Sequence, residues 1–139
     1  MRIAFALTLA LAACGDDGSQ TTPTDAPVAP DAPPRQTVME DKLLLVGEIA
    51  EGILAGGGGD IACIRLTAPS ATLDWNIHGH AGGSTQQIEE GFGVMTVDYT
   101  FAPNAEADWF LLVRNQSGAV MTIGVMIELH ADMQWSGWQ

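Results

Sequence analysis

Cations are among the scarcest groups in this chain: five Lys and Arg stand against seventeen Asp and Glu in 139 residues. A balance this acidic repels phosphate backbones and anionic head groups, which excludes a nucleic-acid role. Cysteine occurs twice, with no Cys-x-x-Cys pair for metal or redox chemistry. There is no Gly-x-Ser-x-Gly elbow, no phosphate loop and no His-Glu-x-x-His. The glycine run from Gly56 to Gly59 lacks the Lys-Ser/Thr pair and the following helix that a phosphate cradle needs. The sequence therefore indicates a protein that is not an enzyme.

The opening segment carries an address. After Met1-Arg2, an uncharged apolar run of about eleven residues, Ile3 to Ala13, leads into Leu11-Ala12-Ala13-Cys14. Such a run fits a secretory signal and is too short to cross a bilayer as a helix. Its ending resembles the lipobox of bacterial lipoproteins. The resemblance implies a signal peptide over residues 1–13, cleavage before Cys14, and acylation of Cys14 as a membrane anchor. The next residue is Gly15 and not the Asp that retains enterobacterial lipoproteins at the inner membrane, so placement in the cell envelope at the outer membrane is implied. Residues 14–37 then read as a disordered linker. Five of seven prolines (Pro23, Pro27, Pro30, Pro33, Pro34) fall there among Asp, Ala and Thr, a composition that buries little and favours extended, semi-stiff chain.

Residues 38–139 are long enough for one core. Lys42, Arg65 and Arg114 face thirteen carboxylates there. With Cys14 assigned to lipid, Cys63 is expected to be a lone, buried thiol behaving as a small hydrophobe. Period-two alternation marks half-buried strands. Met121, Ile123, Val125, Ile127 and Leu129 share the inner face of one, with His130 outward. Leu73, Trp75 and Ile77 point inward from a second, with Asp74, Asn76 and His78 outward. Met95, Val97, Tyr99 and Phe101 define a third inner face. Trp109 to Val113 is apolar on both faces, which predicts a strand covered on both sides. Lys42 to Ala55, with its glycines and β-branched residues, predicts one or two strands. Turn signals between these runs complete an all-β fold, a single antiparallel, jelly-roll-like β-sandwich.

The glycine turn with Asp60, the stretch Ala71 to Ile77, the run Ala107 to Asn115 and the closing strand Met121 to Leu129 together resemble the GOLD (Golgi dynamics) and bacterial pre-peptidase C-terminal sandwiches. That resemblance implies a non-catalytic binding or accessory module, with an envelope protein or a glycan as partner and no cofactor.

One constellation points to other chemistry. His78 and His80 project from one face if their strand continues, and His-x-His is a common zinc or copper ligand pair. His130, also outward by alternation, is the third candidate, with Asp74 and Glu128 as nearby carboxylates. The alternative function is thus a periplasmic zinc- or copper-binding protein using His78, His80 and His130. Glu89-Glu90 reads as a solvated turn, Met95 and Met121 as core filling, and Asn115-Gln116-Ser117 as a coincidental glycosylation sequon. Trp135 and Trp138 either cap the open end of the sandwich or expose an aromatic binding surface.

Overall fold

The computed structural model describes residues 32–80 and 83–139. The expected signal peptide, Cys14 and most of the expected linker lie outside these residues. Nine strands form two antiparallel sheets: β1 (Gln36–Leu44), β2 (Ile49–Gly56), β3 (Ile61–Thr67), β4 (Leu73–Gly79), β5 (Gln86–Val94), β6 (Thr96–Phe101), β7 (Ala107–Asn115), β8 (Met121–His130) and β9 (Gln134–Trp138). One sheet runs in the order β1-β8-β3-β6 and the other β5-β4-β7-β2-β9. β1 begins two residues before the expected domain boundary, its start fixed by a hydrogen bond from Arg35 N to Leu129 O of 2.8 Å.

The alternating runs form the core as expected. The inner faces of β8, β3 and β6 meet those of β4, β7 and β2, burying Ile64, Leu66, Phe101, Ile123, Ile127, Leu73, Ile77, Trp109 and Leu111 almost completely. Two aromatic contacts tie the sheets together, Trp75 to Tyr99 at 5.5 Å and Phe101 to Trp109 at 5.4 Å between ring centroids. Burial of the phenol pushes the Tyr99 pKa up, with the Glu89 carboxylate adding to it.

Three expectations need correction. Met95 is not in the core: it occupies the corner between β5 and β6 and is 47% exposed. Glu89 and Glu90 are not in a turn but within β5, an edge strand whose outer side is polar and therefore hides its period. β7 is covered by the opposite sheet on one side only. Phe110 and Leu112, on its other face, stay half-buried under neighbouring side chains.

Except for the β4–β5 step within one sheet, every connection passes between the sheets, so loops gather at two ends. At one end lie residues 45–48, 68–72 and 116–120, with Met95, linked by hydrogen bonds such as Gly47 N to Asn115 O and Ala68 N to Met95 O. At the other lie residues 57–60, 102–106 and 131–133, where Asp132 N donates to Asp60 Oδ1 at 2.8 Å. Arg35 pairs there with Asp132 and donates to the Ala131 carbonyl. The chain from the N-terminus thus enters at the second end, and the first is the end far from it.

Candidate functional site

His78 lies on the outward face of the five-stranded sheet, opposite Phe110 of β7, which in turn faces Ile53 of β2. The imidazole stacks on the Phe110 ring at 5.4 Å and 20°. The His80 ring closes over the same position, 5.1 Å from His78 and 5.2 Å from Phe110. This cover leaves His78 only 7% exposed despite its outward register. Nδ1 is 2.8 Å from Asn76 Oδ1, and Nε2 is 3.7 Å from Glu51 Oε1. Burial holds the His78 pKa below its usual value; Glu51 opposes that shift and His80 adds to it. His78 is thus predominantly neutral near pH 7.

The structure brings His78 and His80 together but not His130. β8 belongs to the opposite sheet, so the third histidine of the proposed metal set is separated from the pair by the fold itself. His130 is also 8% exposed rather than outward and open, and its Nδ1 has no hydrogen-bond partner among the described residues. The carboxylates expected nearby are engaged elsewhere. Glu128 faces Arg65 at 3.7 Å, and Asp74 accepts from Gly93 N and Gln116 Nε2. Among the described residues, no three His, Cys, Asp or Glu side chains are placed to hold a metal ion.

Trp135 and Trp138 lie along a lateral edge of the sandwich and not over an open end. Both belong to β9, the edge strand beside β2, and pack against the core with their rings 5.3 Å apart. Trp135 fills the space a side chain on Gly52 would need: a Cβ there would lie 1.9 Å from the indole. Trp138 reaches across to the other sheet. Its Nε1 donates to Glu40 Oε1 at 2.7 Å, and the Lys42 ammonium sits 5.8 Å from its ring.

Cys63 is buried, at 1% exposure, on the outward register of β3. Asn115, the sequon residue, is fully buried and is no acceptor for a glycan. Its amide donates to the carbonyls of Leu44, Leu45 and Ala119, and its oxygen accepts from Ser117.

Two surfaces were not foreseen from the sequence. An open groove of about 470 Å³ crosses the outward face of the four-stranded sheet, where Gly124 leaves a gap between Met39, Arg65, Thr67 and Met126. Aliphatic side chains also crowd the far end of the sandwich: Leu43, Leu45, Val46, Ile49 and Val120 are each between 53 and 58% exposed. The signal for the second was present in Leu43-Leu44-Leu45-Val46, whose continuous apolar run exceeds what one inner face can absorb.

No family model matches the chain, and no curated protein matches it by sequence. Among solved structures, it is similar to the mitogen derived from Yersinia pseudotuberculosis, with a TM-score of 0.56 and 14% identity over 78% of this chain and 96% of that one. It is also similar to a periplasmic inhibitor of g-type lysozyme from Aeromonas hydrophila, with a TM-score of 0.51 and 11% identity over 68% of this chain and 86% of that one. At these identities the likeness is one of fold.

Proposed function

We propose that the chain is an exported, non-catalytic binding module of the bacterial cell envelope, and that its partner is a basic protein. The observation that carries the reading is the one-signed charge of the folded part. Four cations stand against thirteen carboxylates over residues 32–139, and three of the four are already engaged. Arg35 pairs with Asp132, Arg65 lies between Asp98 and Glu128, and Lys42 sits against Trp138. A field of one sign steers partners of the opposite sign and fixes their orientation. The structural neighbours support a protein-binding role by analogy only; one of them is named as an inhibitor of a lysozyme.

Calorimetric titration of the full chain against purified basic secreted proteins, a g-type lysozyme first among them, tests this. The expected result is saturable binding that weakens as salt rises. Absence of binding to every member at low salt, or turnover on a panel of hydrolase substrates, contradicts it.

Anchoring through an acylated Cys14 is a separable part of the proposal. The chain has two cysteines, and an acyl thioether at Cys14 excludes a bond from the same sulfur to Cys63. Intact mass of the protein extracted from membranes is expected to show the acyl increment on Cys14. An unmodified Cys14 removes the anchor and leaves the binding reading standing.

A further inference from the structure

We infer that the far end of the sandwich, formed by the β1–β2 and β7–β8 loops, is the docking surface, and that its occupant is an apolar face flanked by basic residues on a partner protein. The inference rests on the function proposed above and names the face that performs it. The aliphatic side chains of Leu45, Val46 and Ile49 come from one loop and its following strand, and Val120 comes from the other loop. Leu43, on the outward side of β1, continues the patch. Scattered exposed aliphatics are ordinary, but five gathered at one end of the sandwich, on two loops tied to each other and the strand ends beside them, point to an interaction site.

The two loops are held together before any partner arrives. Asn115, fully buried, donates to Leu44 O and Leu45 O on one side and to Ala119 O on the other. Gly47 N donates to Asn115 O, Asn115 N to Glu48 O, and Leu45 N to Glu48 Oε2 at 2.6 Å. Loops fixed this way lose little conformational entropy on docking.

Charge and placement choose the occupant. The acidic surface opposes a second copy of the chain and an anionic bilayer alike, and it favours a basic protein. Arg35 and the start of β1 lie at the opposite end, beside Asp132, so the patch lies away from them.

The test compares the full chain with a variant carrying Leu45→Ser, Val46→Ser and Ile49→Ser, and with Val120→Ser as an independent variant from the other loop. An unchanged far-UV spectrum and thermal midpoint establish that each is folded. The probe is a fluorescent amphipathic peptide of Lys and Leu, with Glu/Leu and Lys/Ser versions as controls. The expected result is binding of the Lys/Leu peptide that weakens about tenfold or more in the triple variant and less in Val120→Ser. Neither control is expected to bind the native chain. No binding of the Lys/Leu peptide, equal binding by the variants, or equal binding of the Glu/Leu peptide overturns the inference. So does sedimentation with anionic vesicles, or a dimer in the ultracentrifuge, that the triple variant abolishes. If basic proteins still bind the variants as tightly as the native chain, the surface is wrong and the function stands; if they never bind the native chain, the function itself fails.

Discussion

At the scale of single residues, His78 shows how much of a side chain's character comes from its neighbours. An outward position in β4 would leave an imidazole free to titrate, yet Phe110 and His80 cover it. Its ring signals, followed by NMR across pH, are expected to titrate with a midpoint below 6.5. Glu51→Gln, which removes the charge that favours the imidazolium, is expected to lower that midpoint further; a midpoint above 6.5, or a rise in the variant, contradicts this. Because the folded pKa is depressed, the unfolded chain binds the proton first as pH falls. Stability is therefore expected to decline below about pH 6.5 and level off once pH has passed the folded value, and His78→Gln should remove that component. Asn115 is the opposite case, a polar residue whose whole value is structural. Asn115→Ala removes the amide shared by three carbonyls, of which Leu45 O keeps Glu48 N and Ala119 O keeps Ser117 Oγ, and is expected to cost about 2 kcal/mol in urea unfolding. A loss below about 1 kcal/mol would mean that solvent replaces the amide.

At the scale of elements, the strands most legible in the sequence are those with one dry and one wet face. Met121 to Leu129 and Leu73 to Ile77 alternate cleanly because the opposite sheet covers their inner residues and water meets the others. β5 was hidden by the same logic: as an edge strand with Glu89, Glu90, Gly91 and Gly93, it buries little and so has no period to read. His130 illustrates a different limit. Alternation gives the face of a strand, but it does not say which sheet a strand joins, and that pairing separates His130 from His78. For the same reason the pattern specified a sandwich without specifying a family. β9 was visible only as a pair of tryptophans, whose role depends on Gly52 in a strand more than eighty residues earlier. Gly52→Ala pushes a methyl group into the Trp135 ring. It is expected to cost about 1–3 kcal/mol and to shift the tryptophan emission towards that of exposed indole. An unchanged emission maximum with full stability would show that β9 does not close this edge.

At the scale of the whole molecule, the arrangement has a direction. The described chain enters the sandwich beside Asp132 at one end, and the apolar loops occupy the other. The His78–His80 shelf and the groove at Gly124 both lie on the flanks. Each of these three places is a competing location for recognition, and the far end differs in presenting exposed aliphatic side chains on two loops tied together through Asn115. Hydrogen exchange of the full chain, with and without the bound Lys/Leu peptide, separates them most directly. Slowed exchange confined to residues 43–49 and 116–120 is the predicted result. Slowing centred on residues 76–80 or on 124–126, or none anywhere in the chain, would contradict it.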